Sequence, residues 1–289
     1  MAISAISQKA MLVKLTVRQW TANVIDRSIT KDVAVQFGVN PDVGRYNKML
    51  LHKNALKAVK SAISALRSYY YENTLPWGDD TSRLLPAANY MNFSQEVRTL
   101  RAEVDNAVND FIQKYPNYVQ EAQKRLGAMF KADDYPTSAD LINMYQTTID
   151  VYPVPDSNDF RVMLQNEDVE TIKQEIEARN QEATTAAMSD LWKRLHTLVS
   201  NMFERLSDES GVFRDSLVQN IADLCTLLPR LNVANDPQLE YMRQQIENKL
   251  CACTPQELRE DKIKRSQVAA DSGALLTAMS GYMGKDATP

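Results

Sequence analysis

The stretch NEDVETIKQEIEARNQEATTAAMSDLWKRLHTLVSNMFERLSDES, residues 166–210, contains neither proline nor glycine. Ile172, Ile176, Ala183, Ala187, Leu191, Leu195, Leu198 and Met202 recur in it at helical spacing, forming one apolar, coiled-coil-like stripe. Asn166 is placed to cap its start, with Glu167 and Asp168 in the first turn where the helix dipole favours acids. The spacing predicts one helix of about 40 residues, and at about 1.5 Å per residue it spans roughly 60 Å. A compact domain needs less, so the helix should project or fold into a hairpin. Val212 to Leu228 supplies the return arm. Pro237 to Leu250 and Pro255 to Ala270 continue the helical pattern, and the tail GALLTAMSGYMGKDATP (273–289) frays at its end.

Working toward the N-terminus, the turn residues Pro155-Asp156-Ser157-Asn158-Asp159 separate Thr148–Val154 from Phe160–Leu164, a β-hairpin near 148–164. Met11 to Trp20 alternates, with Val13, Leu15 and Val17 opposite Lys14, Thr16 and Arg18, as a half-buried strand does. This strand near 11–20 joins the hairpin in a small antiparallel sheet. Ser28 to Phe37 reads as a short amphipathic helix closed by Gly38, with Pro41 beyond. Residues 45–71 lack proline and glycine, and Leu51, Ala55, Ala58, Ala62, Leu66 and Tyr69 predict a second stripe. Lys53, Lys57, Lys60 and Arg67 lie across the opposite side of that helix.

The helix ends at TLPWGDDTSRLLPAANY (74–90), where Pro76, Gly78 and Pro86 break the pattern. Trp77, Leu84, Leu85 and Tyr90 need burial, so an ordered loop packed on the body is expected. Its Trp77, Asp79, Asp80, Arg83 and Tyr90 form a candidate protein-binding loop. A long helix from Ser94 through Phe111, broken near Pro116 and continued from Tyr118 to Phe130, follows. Pro136 and Ser138 then start a short helix reaching Tyr145. The fold class is thus mainly α, long antiparallel helices with a small antiparallel β-sheet. Residues 1–165 form an α+β part and 166–289 a helical hairpin and tail, within what one extended domain accommodates.

Composition narrows the function classes. With 44% hydrophobic and 24% charged residues the 289-residue chain lies far from the disordered regime. Eight glycines are too few for the phosphate loops and tight βα turns of α/β enzymes. No apolar run approaches the length of a membrane span or a signal peptide, which leads to an expectation of a cytoplasmic protein. Charge is divided unevenly: residues 1–71 carry 11 Lys and Arg against 3 Asp and Glu, a net +8, leaving −12 beyond.

Candidate chemistry is sparse. Cys225, Cys251, Cys253 and His196 offer the ligand types of a zinc site, but Cys251-Ala252-Cys253 is tighter than the usual knuckle, and ordinary reduced thiols fit better. His52 and His196 are the two histidines, and neither sits in a HExxH pattern. GxxxxGK[ST], GxGxxG and GxSxG do not occur. Asp79-Asp80 and Asp133-Asp134 could hold a divalent ion, although acids beside Gly or Pro more often form turns. No catalytic residue, metal or cofactor is therefore expected. The basic face of the 45–71 helix admits nucleic acid, its cations meeting phosphates and Tyr69, Tyr70 or Tyr71 stacking on bases. A solvated lysine face or an acidic protein partner accounts for the same charges.

Several strings carry a family resemblance: LTVRQWTA (15–22), NKMLL (47–51), TLPWGDDTSRLLPAANY (74–90), LGAMF and DYP (126–136) and PVPDSNDFRV (153–162). Over residues 11–165 the chain resembles a family of helical proteins of tailed bacteriophages and integrative elements, to which no catalytic residues are assigned. The resemblance implies two possible partners, a MoxR-type AAA+ ATPase and a von Willebrand A-domain protein, near whose genes such proteins are often encoded. The expectation from all of this is a non-enzymatic interaction protein, an adaptor for such an ATPase or a homo-oligomer, docking through an apolar stripe that a monomer leaves partly open. The alternative is a nucleic-acid-binding accessory protein using the basic helix.

Overall fold

The alternating segment near the N-terminus is a strand in the computed structural model, which describes residues 6–78, 81–157, 166–208 and 211–282. After a single helical turn α1 (Ile6–Lys9) come β1 (Ala10–Arg18), β2 (Asn23–Ile25), α2 (Arg27–Phe37), β3 (Asn47–Met49) and α3 (Lys57–Glu72). Then follow β4 (Leu75–Pro76), β5 (Arg83–Pro86), α4 (Tyr90–Leu126), α5 (Ser138–Met144) and β6 (Gln146–Pro153). The rest is helical: α6 (Asn166–Ser207), α7 (Ser216–Leu231), α8 (Pro237–Leu250), α9 (Pro255–Glu260) and α10 (Lys262–Ser280). The protein is mainly α with a small antiparallel sheet, in the strand order β4-β5-β1-β6. The second arm of the expected hairpin, Phe160–Leu164, and the boundary expected near 165 fall outside the described residues. Among the described residues no helix is long and apolar enough to cross a membrane.

Contacts divide the chain into two compact units, each assembled from separated stretches. One takes Met1–Lys14, Tyr71–Phe93 and Asp150–Pro289, the other Leu15–Tyr70 and Ser94–Ile149.

In the first unit, α6 packs with α7 and α10, and α8 packs with α7 and α10. The apolar stripe read along α6 is the inner face of this bundle: Ala183, Ala187, Leu191, Leu195 and Met202 are buried, while Ile172 and Ile176 nearer the start are half-buried. The stripe is thus largely covered within the monomer, because α7 and α10 both lie on α6. Helical continuity from Pro255 to Ala270 does not hold. Asp261 interrupts it, its carboxylate accepting from the backbone N–H groups of Ile263 and Lys264 to cap α10. Helix α10 instead runs on through Gly273, where an added Cβ would lie 3.1 Å from the Phe203 ring of α6. Close approach of the two helices explains a residue that alone disfavours helix by about 1 kcal/mol.

Helix ends leave carbonyl groups without partners, and in this unit arginines supply the donors. Arg265 donates to the carbonyls of Leu206 at 3.2 Å, Arg205 at 2.9 Å, Asp208 at 2.6 Å and Gly211 at 2.8 Å, closing the end of α6. Its guanidinium also lies 5.4 Å from the Phe213 ring centroid. Arg194 likewise ties the segment 71–74 of this unit, donating to the carbonyls of Glu72 at 2.6 Å, Tyr71 at 3.1 Å and Thr74 at 2.8 Å. The region 74–90, expected to be a loop, carries strands: β5 pairs β1 with Leu12 opposite Leu84, and β4 pairs β5 with Leu75 opposite Leu84. Leu84 and Leu85 are buried as their hydrophobicity demands, whereas Tyr90 is exposed.

The second unit corrects two helix assignments. Helix α3 begins at Lys57 rather than near 45, because residues 47–49 pair as β3 with β2, Val24 opposite Lys48, and the Leu50 N–H donates to the Ala22 carbonyl. Its buried stripe is Val59, Ile63, Leu66 and Tyr70; Ala58 is exposed and Ala62 half-buried. The larger side chains remove more apolar area from water and so claim the core. Helix α4 runs through Pro116 without ending. The lost N–H donor is offset by an aromatic cluster along that face, where Phe111 and Tyr115 meet Trp20 at 6.3 and 5.8 Å between ring centroids and Phe111 stacks on Tyr118 at 6.0 Å.

Replacing Arg265 by Met keeps the aliphatic stem but removes a donor from each of four carbonyls at and just beyond the end of α6. Urea unfolding should show a loss of about 1–3 kcal/mol.

Candidate functional site

Helix α2 begins at Asp26, whose carboxylate accepts from the backbone N–H groups of Ser28 at 3.1 Å and Ile29 at 3.3 Å. It ends at Gly38, which adopts φ +63°, a conformation that favours glycine and turns the chain back, with the Val39 N–H donating to the Ala34 carbonyl. The returning segment is pinned to the start of the helix. The Thr30 hydroxyl donates to the Asp26 carbonyl and accepts from the Tyr46 N–H, while the Asp26 N–H donates to the Tyr46 carbonyl. β2, α2 and β3 thus form one hairpin with a helix in its middle.

Beneath the start of α2 lies Lys48, only 2% exposed although it is a lysine. Its ammonium is 3.1 Å from Asp26 and 2.7 Å from Asp134, and it donates to the Met129 carbonyl at 3.0 Å. A buried ammonium must be paired and hydrogen-bonded to remain charged, and Lys48 is both. Burial works against its charge, but the bonds to Asp134 and Asp26 outweigh it and hold the pKa above the ordinary lysine value. For Asp26 the hydrogen bond from Lys48 outweighs burial, with help from Ile29 N–H and the charge of Lys131 at 3.5 Å, and lowers the carboxyl to about 2. One carboxylate therefore caps the helix and neutralises the lysine beneath it. Sequence reading missed Lys48, because residues 45–71 read as one helix and no local pattern marks this lysine for burial rather than for the surface.

What α2 presents outward is apolar. Within the helix only Ala34 is buried, while Val35 is 82% and Phe37 70% exposed, and Val43 in the returning segment is 73% exposed. Val33, Phe37, Val39, Pro41, Val43 and Tyr46 line a groove of about 340 Å³. Exposed Ile25 and Met49 lie at the neighbouring strand ends. Scattered exposed hydrophobics are normal on a protein surface, but a cluster that shares one groove marks a binding surface. The excess was legible: residues 29–43 hold more large apolar side chains than one stripe of an eleven-residue helix can bury.

The basic residues are only partly gathered. Lys57, Lys60 and Arg67 are exposed on one side of α3, and Lys53 lies in the turn before the helix. Among the described residues none of the four forms an ion pair. In the candidate loop, Arg83 turns inward, its guanidinium donating to the Thr74 hydroxyl at 2.7 Å and carbonyl at 3.0 Å and lying over the Tyr71 ring. Trp77 is half-buried against the core, Tyr90 is exposed at the start of α4, and Asp79 and Asp80 lie outside the described residues. Of the paired acids at 133–134, Asp134 is the counter-ion of Lys48. The Asn54 N–H donates to His52 Nδ1 in a turn, and His196 faces Ser200 on α6. Among the described residues no group of three or more His, Cys, Asp or Glu is placed to hold a metal ion.

Because the folded pKa of Asp26 lies below its ordinary value of 3.8, its contribution to stability is present above about pH 4 and is lost as pH falls through about 2. The urea midpoint of the native chain should decline across that window. Asp26→Asn should start lower at neutral pH and decline less.

Compared with known protein families, with curated proteins and with solved structures, the chain matches none of them.

Proposed function

We propose that this chain is a non-enzymatic interaction protein, of the phage or mobile-element kind that residues 11–165 resemble, and that α2 with the segment 38–46 is where a protein partner binds. The observation that carries this reading is the groove itself, apolar, open and anchored on a charged cluster that fixes the start of α2. A preformed apolar groove on a rigid helix accepts an amphipathic segment of a partner, the apolar face entering the groove. The net +8 of residues 1–71 favours a segment flanked by Asp and Glu. The resemblance supplies the first partners to test, a MoxR-type AAA+ ATPase and a von Willebrand A-domain protein, in the cytoplasm of a bacterial host.

Mixing the purified chain with both proteins and following mass by light scattering should give a complex. Val33→Asp and Phe37→Asp, at groove positions the fold leaves exposed, should weaken it by about tenfold or more while leaving the urea midpoint near that of the native chain. A chain that stays strictly monomeric with both partners present overturns the reading.

A second reading rests on the exposed, unpaired cations Lys57, Lys60 and Arg67 on one side of α3, which suit a phosphate backbone. In that case oligonucleotide binding weakens steeply with salt, and charge reversal at Lys53, Lys57 and Lys60 lowers both the affinity and the salt slope. Absence of binding at low salt removes it.

A further inference from the structure

Where α6 packs on α7 in the first unit, the two helices and the link between them line a groove of about 480 Å³. Helix α6 brings Asn201 and Arg205, four residues apart and so on one face. Helix α7 brings Ser216 and Asn220 at the same spacing, and the link brings Arg214. Among the described residues none of these five side chains bonds to another protein group, and all five are exposed. No carboxylate lines the groove. The neighbouring arginines are committed elsewhere: Arg259 pairs with Asp215, and Arg265 donates to the carbonyls around the end of α6. Asp215 stands at the start of α7, yet its side chain makes no capping bond there. Two guanidinium charges and the positive end of a 16-residue helix therefore meet at one groove without an acid in its lining.

We propose that this groove binds a small organic phosphate monoester, its phosphate on Arg205 and Arg214 and its organic body on the apolar walls. A phosphate monoester near neutral pH carries close to two negative charges on three acceptor oxygens. Two guanidinium forks match that charge, and the Ser216 hydroxyl and the amides of Asn201 and Asn220 supply further donors. A carboxylate brings a single charge and would leave one guanidinium unanswered. The remaining walls are Leu198, Leu217 and Val212, the last 90% exposed although it is apolar. A groove of about 480 Å³ has the size of a small-molecule site, so a phosphate group fills only part of it and an apolar body covers the rest. Every residue of the groove belongs to the first unit, so the site stands independently of the groove on α2.

The test titrates phenyl phosphate into the full chain by calorimetry, with inorganic phosphate and phenylacetate as comparisons. Phenyl phosphate should bind once per chain, and about tenfold or more tightly than either comparison, since only it supplies both the dianion and the apolar body. Arg205→Gln and Arg214→Gln should each weaken it by about tenfold or more. Both should keep the native urea midpoint, because neither side chain bonds within the fold. Lys249→Gln, which removes an exposed cation of α8 outside the groove, should leave binding unchanged. Absence of phenyl phosphate binding, binding that survives both arginine substitutions, or equal weakening by Lys249→Gln overturns the assignment. Inorganic phosphate or phenylacetate bound as tightly as phenyl phosphate overturns it as well.

Discussion

A lysine ammonium out of contact with water is tolerated only where its charge is answered nearby, and the second unit is arranged around that requirement at Lys48. Asp26 at the start of α2, and Asp134 with the Met129 carbonyl from the segment following α4, converge on one nitrogen. Each of those groups thereby loses its freedom to lie elsewhere. The start of α2, the strand β3 and the segment following α4 are fixed together, and the groove on α2 inherits its rigidity from them. Arg125 and Tyr135 reinforce the same place by donating to the carbonyls of Met49 and Leu50.

The legible part of the fold was the part governed by local periodicity. The stripe along α6, the Gly38 stop of α2 and the strand at β1 each follow from neighbouring residues. Where distant pairing decided, sequence reading failed. Residues 45–56 have helical composition, but pairing of β3 with β2 and the needs of Lys48 override that propensity. Pro116 carries a strong local signal against helix, and packing of Phe111, Tyr115 and Tyr118 outweighs it. The charge asymmetry and the excess of apolar residues over 29–43 were both legible, but that Val33, Phe37 and Val43 share one open groove depends on the turn after Gly38, which local pattern does not give.

Charge and hydrophobicity separate in the same way at the level of surfaces. The long stripe of α6 looked like the binding face because of its length, yet a bundle with α7 and α10 consumes it. Short α2, which buries a single alanine, keeps its apolar side chains for solvent or a partner. Length of a hydrophobic pattern measures what a chain must cover; an unburied remainder measures what it offers.

The contact between Gly273 and Phe203 bears on alignment. Two helices matched only by apolar stripes can slide past each other by a turn and still bury similar surface. On α10 the positions one turn either side of Gly273 are Ala269 and Thr277, and both carry a Cβ where the Phe203 ring already sits 3.1 Å from the place a Cβ would occupy. The notch therefore acts as an index mark: it favours one axial setting of α10 against α6, since a helix slipped by a turn would press a Cβ on the Phe203 ring and force it to shift.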